Sequence, residues 1–318
     1  AFGSFDFTAF REGASVALAR QCGVTNAAYV PDCAFLSHPS GGADLPDGAG
    51  YFAVSGSALK DPRRYELILD QTRRIAKRTG LKPLIAVSRD LKMKAKVLFG
   101  WRPGSYATVP ANATYTQVTR QLAQCKFLLG GRYHMSIMSA AAGTPNIILT
   151  GNSFKNEGLV SLLAAKRPVH VFDDTAAIVD EAEAVLNNNA DERAALTAQV
   201  GIIRKTLGDA QTHIAQIVAG KDAGAFHDDL PVYDLNPAIL ARYEAYGQGK
   251  GKKSGWVPPG DIRGKRADVA ALLHPLLEGL AGDPDTTLAT LRRIAAGDAR
   301  AAEILRAKAS DYPALSGL

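Results

Sequence analysis

With 318 residues, 47% of them hydrophobic and 21% charged, the chain is long enough to bury a sizeable core and to form two domains, or one domain with an appendage. Lysine and arginine outnumber the acids 37 to 31, a net charge of +6 that suits an acidic substrate and equally a solvated basic surface. Three cysteines, Cys22, Cys33 and Cys125, are odd in number and lack metal-ligand spacing, so a disulfide framework is excluded and buried thiols in a reducing, cytoplasmic compartment are expected.

In chain order, the pattern predicts a strand over Phe5–Phe10, a helix over Ser15–Gln21 capped by Ser15 and closed by Gly23, and a strand over Ala27–Val30 that stops at the Pro31-Asp32 turn. Residues 37–50 hold four glycines, two prolines and two aspartates, which marks a loop and a crossover between domains. A regular alternation is predicted beyond it: strand Tyr51–Val54, helix Arg63–Thr79, strand Pro83–Val87, helices Leu91–Leu98 and Thr114–Cys125, and strand Lys126–Leu129. It continues with helix Met135–Ala142, strand Asn146–Leu149, helix Glu157–Ala165, strand Val169–Phe172, helix Thr175–Asn187 and a long amphipathic helix over Asp191–Val218. Strands separated by amphipathic helices imply an α/β fold with a doubly wound parallel sheet.

The expected domains are 1–45, the end of an N-terminal α/β domain; 46–220, a Rossmann-like domain; and 221–318, a linker with a helical extension. Residues Gly247–Gly255 are a basic, glycine-rich stretch, followed by short helices over Lys265–Leu280, Asp285–Ala296 and Asp298–Ala309. The longest apolar run, Met135–Thr150, is broken by Gly143 and Pro145 and is shorter than the roughly 20 residues of a bilayer span. No basic region typical of a signal peptide opens the sequence.

Parallel strands deliver their carboxyl ends to one edge, where ligands bind. Ser55-Gly56-Ser57, Ser88-Arg89-Asp90, Gly130 to His134 and Gly151 to Lys155 all leave strands there, and Arg11 leaves a strand in the preceding half. Between Gly130 and Lys155 the sequence places an arginine, a histidine and a lysine on two neighbouring strand-to-helix turns. The first turn of such a helix has unpaired N–H groups, so Gly131, Arg132 and His134 frame an anion site. Asp32 reads as a turn residue and Asp90 as another. No His-x-x-His, Cys-x-x-Cys or acidic cluster at ligand spacing suggests a metal.

The triplet Arg132-Tyr133-His134 opening an alanine-rich helix, the Gly143-Thr144-Pro145 turn and Lys155 resemble the polysaccharide pyruvyl transferase family. So does the run from Phe10 to Phe35, with its Arg11-Glu12, Ser15, Leu18, Gly23-Val24 and Pro31-Asp32-Cys33-Ala34-Phe35. Tyr133 stands where the family has leucine, and Asn152-Ser153-Phe154 precedes Lys155 in place of the family's Asp-Pro. The resemblance implies a GT-B-like architecture and transfer of the enolpyruvyl unit of phosphoenolpyruvate to two hydroxyls of a glycan or lipid-linked sugar, with no cofactor. It implies donor binding by Arg11, Arg132 and Lys155, to which the strand-end placement adds Gly131 and Ser55, and catalysis by His134 as the acid and by Arg132. Phosphoenolpyruvate carries a phosphate and a carboxylate, which arginine's planar fork binds in pairs, and an imidazole titrates near operating pH. No nucleic-acid partner is implied, and peripheral membrane association stays open. Two other readings stand beside it: a GT-B nucleotide-sugar glycosyltransferase, and a non-catalytic anion- or glycan-binding module.

Overall fold

The computed structural model describes residues 6–41, 44–45, 50–57, 62–87 and 104–231, together with Leu288, Leu291, Leu305 and Arg306. Contacts divide the chain into two units, 6–251 and a second made of 1–5 with 252–318. In the second unit the four described residues are helical, and Leu291 and Leu305 are buried. The expected helices over Leu91–Leu98 and Lys265–Leu280, the Ser88-Arg89-Asp90 turn and the stretch Gly247–Gly255 lie outside the described residues.

The first unit begins with a small parallel pair, β1 (Thr8–Phe10) and β2 (Ala27–Tyr29), joined by helix α1 (Gly13–Gln21). Its main sheet has five strands, β3 (Tyr51–Ser57), β4 (Lys82–Val87), β5 (Ala107–Thr108), β6 (Cys125–Gly131) and β7 (Asn146–Ile148). All pair in parallel, in the order β5-β4-β3-β6-β7. The chain therefore winds outward from β3 through β4 and β5, then crosses back to lay β6 on β3's other side. That reversal opens a crevice at the carboxyl ends of β3 and β6.

Alternation along the strands explains why helices cover both faces. Phe52, Val54, Ile85, Phe127 and Leu129 point to one side, where α2 (Pro62–Thr79) and α6 (Thr175–Asn187) pack. Tyr51, Ala53, Leu84, Ala86 and Leu128 point to the other, against Val118 and Leu122 of α3 (Tyr115–Ala123) and Met135 and Met138 of α4 (Tyr133–Ala141). Helix α2 presents Tyr65, Ile68, Leu69, Thr72 and Ile75 at helical spacing, all buried. Complete burial of Ile68, Leu69 and Ile75 contributes roughly 1.5–3 kcal/mol each. Helix α3 starts with a capping box in which Thr114 and Gln117 satisfy each other's backbone N–H, and α6 starts on Asp174, whose carboxylate accepts from Ala177 N.

A third apolar cluster ties the early segment down. Val16, Tyr29 and Phe35 pack with Tyr133 and Ile137 of α4, Leu159 and Leu162 of α5 (Lys155–Leu162), and Val200, Ile203 and Leu207 of α7 (Asn189–Val218). Two arginines of α7 reinforce this by donating to orphan carbonyls. Arg204 reaches Phe35, Ser37 and Ala141, and Arg193 reaches Ala123, Cys125 and Gly143. Downstream of α7, Asp228 accepts from Tyr29 N at 3.0 Å and lies 3.5 Å from Arg20, while Leu230 enters the same cluster.

Several sequence expectations need correction. The cap of α1 is Glu12, and Ser15 sits inside the helix, because the extended backbone bends into helix at Glu12 rather than three residues later. Val169–Phe172 forms only a single bridge, Leu149 to His170, at the margin of β7. Helix α5 begins at Lys155 itself, which places that lysine on a helix and not in a loop. Cys125 is buried, and burial pushes its thiol up to about 12, but Cys22 and Cys33 are exposed. Among the described residues no helix is long and apolar enough to cross a membrane.

Candidate functional site

The crevice at the sheet reversal is shaped by two glycines. In the register of β3 and β6, Ser55 lies opposite Gly130 and Ser57 opposite Gly131. A side chain at 130 would put its Cβ 1.9 Å from Ser55 Oγ and 2.7 Å from the Ser55 carbonyl oxygen; at 131 it would meet the Thr150 carbonyl at 3.0 Å. Glycine thus lets the strands close fully before the chain turns into α4 at Arg132, which offers no side-chain cap. The first-turn N–H groups of α4 are accordingly left without a capping side chain, a setting that favours an anion.

Around that turn, side chains from separate segments converge on Tyr133. Its ring is buried, and burial raises its phenol far above the ordinary range, with the negative charges of Glu12 and Asp32 adding to the effect. The Arg11 guanidinium lies 5.4 Å from the ring centre and the Lys155 ammonium 5.6 Å, while the His134 ring meets it edge-on at 5.5 Å. Such cation–ring contacts contribute about 0.5–1 kcal/mol at exposed sites. Their larger effect here is positional, since one fixed ring seats two mobile cations.

Asp32 is the second organiser. Its carboxylate is 8% exposed; Oδ2 takes Arg11 Nη1 at 2.9 Å and faces His134 Nε2 at 3.3 Å, and Oδ1 accepts from Ala34 N at 3.0 Å. That last bond caps the 3-10 turn Cys33–Leu36. Arg11 and His134 are 50% and 59% exposed, so both remain open to solvent although each is held on one side. Asp32, expected as a turn residue, is such a residue and also aligns two candidate side chains. The sequence signal for it was the Pro31-Asp32-Cys33-Ala34-Phe35 run.

Lys155 is half-buried, and desolvation lowers its proton affinity, helped by Arg11 and opposed by Glu12. Glu12 shifts the opposite way: burial raises its carboxyl above the usual range, against the pull of Arg11 and Lys155. Tyr29, buried nearby in β2, has its phenol raised chiefly by burial.

Arg132 and Ser55 form a neighbouring set at the strand ends. Arg132 Nε, Ser55 Oγ and Thr150 Oγ1 are buried without hydrogen-bond partners. Asn156 Nδ2 donates to the carbonyls of Leu149 at 2.7 Å and Gly131 at 3.3 Å, standing in for a missing strand partner. Among the described residues no side-chain hydrogen bond or ion pair joins Arg132 or Ser55 to the group round Tyr133. Arg11, His134 and Lys155 are brought together; Arg132, Gly131 and Ser55 lie at the adjoining strand ends. Arg11, His134 and Lys155 thus stand with the carboxyls of Asp32 and Glu12, while Arg132 lies at the adjoining strand ends. Clefts of about 510 Å³ between α5 and α7 and about 290 Å³ beside His213 lie elsewhere and are lined by none of these residues.

A parallel α/β sheet with helices on both faces and cations near its carboxyl edge places the chain in the doubly wound class. Within that class, residues 1–153 match the model of the polysaccharide pyruvyl transferase family. Solved structures with related chain paths include the spinosyn forosaminyltransferase SpnP, at 16% identity and a TM-score of 0.37, covering 70% of this chain and 50% of that one. Another is CalG4, the calicheamicin glycosyltransferase, at 15% identity and a TM-score of 0.42, covering 66% and 53%. This chain spans about half the length of both. No curated protein matches it.

Proposed function

We propose that the protein is a ketal-forming pyruvyl transferase, moving the enolpyruvyl unit of phosphoenolpyruvate onto two hydroxyls of one sugar in a glycan or lipid-linked acceptor. The observation that carries this reading is the convergence of Arg11, His134 and Lys155 on Tyr133, in a segment that largely coincides with the family match. A donor with a phosphate and a carboxylate needs several cations at fixed spacing, which Arg11, Arg132 and Lys155 supply. Gly131 and Ser55 lie beside them at the strand ends, where the Ser55 hydroxyl is buried without a hydrogen-bond partner.

Chemistry at the donor starts with protonation of its vinyl carbon, which creates cationic character at the neighbouring carbon that the sugar hydroxyl attacks. His134 is the acid: it is exposed, sits on the first turn of α4, and is aligned by Asp32 through one ring nitrogen. Lys155, its charge partly desolvated, and Arg132 stabilise the departing phosphate. In a direct comparison at equal concentration, phosphoenolpyruvate is expected to raise the melting temperature and nucleotide sugars are not. Inorganic phosphate is then expected to be released from phosphoenolpyruvate when a galactose- or mannose-containing glycan is added. Protection by nucleotide sugars alone would assign the chain to glycosyl transfer, and protection without turnover would make it a binding module.

A further inference from the structure

We propose that Glu12 is the general base that takes the proton from the attacking sugar hydroxyl, a role that rests on the pyruvyl-transfer reading above. The two acids of the group are not equivalent. Asp32 is committed, with one oxygen shared by Arg11 and His134 and the other closing the turn at Ala34. Glu12 occupies the N-cap position of α1, yet its carboxylate makes no capping bond. Among the described residues its carboxylate has neither a hydrogen bond nor an ion pair, although the residue is half-buried. A carboxylate withdrawn from water and left unbonded keeps its lone pairs for a ligand.

The charged and titratable groups that face it come from every element packed around it: Arg11 after β1, Tyr29 of β2, Tyr133 of α4, and Lys155 and Glu157 of α5. Burial outweighs the two cations and raises the carboxyl above its usual range, and a carboxylate of raised proton affinity is the stronger base. Lys155, which faces the same carboxyl, is the cation assigned to the leaving phosphate. The carboxyl therefore lies within electrostatic reach of the cation assigned to the leaving phosphate.

The proton count closes on these two residues. His134 gives a proton to the vinyl carbon, which becomes the methyl group. The first hydroxyl forms its C–O bond to the central carbon and loses its proton to Glu12. The C–O bond to phosphate then breaks, and Glu12 returns that proton to the phosphate as it leaves. The second hydroxyl closes the ketal and its proton restores His134. Phosphoenolpyruvate and two hydroxyls thus yield one ketal and one hydrogen phosphate, with both residues in their starting states.

The test compares the full chain with Glu12→Gln and Glu12→Asp. Phosphoenolpyruvate binding is measured by calorimetry, and phosphate release is followed from pH 5 to 9 with p-nitrophenyl galactoside, p-nitrophenyl mannoside and water as acceptors. Glu12→Gln is expected to bind the donor within about threefold of the parent, to lose on the order of 100-fold or more in turnover, and to lose the acidic limb of its pH profile. Glu12→Asp is expected to restore part of the rate. A Glu12→Gln variant that keeps the parent's rate and acidic limb removes the base role and leaves the donor reading intact. A parent chain that binds phosphoenolpyruvate yet releases no phosphate with any acceptor removes the base role as well. Failure of the parent to bind phosphoenolpyruvate overturns the donor reading, and the base role falls with it.

Discussion

Replacing Gly130 with alanine tests whether the crevice really depends on the closest approach in the sheet. The new Cβ would sit 1.9 Å from Ser55 Oγ and 2.7 Å from the Ser55 carbonyl. The hydroxyl can swing away, but the carbonyl belongs to the backbone, so β3 and β6 must separate by about half an ångström to restore ordinary contact, an overpacking that costs about 1–3 kcal/mol. Gly130 also accepts from Leu149 N at 3.0 Å, and weakening that bond adds about 0.5–1.5 kcal/mol. A loss of about 1.5–4.5 kcal/mol lowers the melting temperature by roughly 3–18 °C in a unit of this size. Differential scanning calorimetry reads it directly. Ser55→Ala alone is expected to be neutral or slightly stabilising, because it removes a buried hydroxyl with no partner. Combined with Gly130→Ala, it recovers only the side-chain part of the clash. A Gly130→Ala protein that melts with the parent would refute the account of the sheet reversal.

Other outcomes are equally specific. Arg132→Ala is expected to weaken phosphoenolpyruvate binding by roughly 10- to 100-fold, the value of a hydrogen bond to a charged group, whereas His134→Asn should leave binding intact and slow phosphate release about 100-fold or more; a fully active His134→Asn variant sinks the acid assignment. Asp32→Asn removes the carboxylate that aligns Arg11 and His134 and also a negative charge beside the donor, so KM should hold or fall while kcat drops, and a rise in KM with unchanged kcat contradicts the alignment role. His170 is buried, its proton affinity lowered chiefly by desolvation, with Glu181 and Asp174 opposing and Arg167 assisting. The unfolded chain therefore takes up that proton first as pH falls below the ordinary 6.5, and stability declines from there until the depressed folded value is passed. The urea midpoint of His170→Gln should drop less between pH 7.5 and pH 5 than the parent's, and an equal drop would discard the assignment.

The sheet was legible because its strands announce themselves locally: Tyr51 to Val54 and Phe127 to Leu129 are short apolar runs between amphipathic helices, and β6 ends on two glycines. What could not be read was anything decided by a distant partner. Strand β5 is two residues long and exists only because Leu84 and Ile85 offer an edge. His170 pairs through a single bridge, so the run around it never becomes a full strand. At the site, Arg132, His134 and Lys155 stood out by residue type and spacing, but Tyr133 read only as a departure from the family's leucine and is the ring on which the cations gather. Asp32 looked like a turn residue because its local bond to Ala34 is what a turn aspartate makes; its bonds to Arg11 and His134 span 21 and 102 positions along the chain and leave no local trace.

Helix α7 also bears on the order in which the molecule can be made. Its Val200, Ile203 and Leu207 and the guanidinium of Arg204 complete the seat for Tyr29 and Phe35, residues synthesised far earlier. During translation, the amino-terminal segment with Arg11 and Asp32 must wait, its aromatic face open to chaperones, until Asn189 to Val218 has left the ribosome. The cation group near Tyr133 is therefore among the last features of this unit to be locked in a newborn chain, and a message cut short before that helix yields a sheet without a finished crevice.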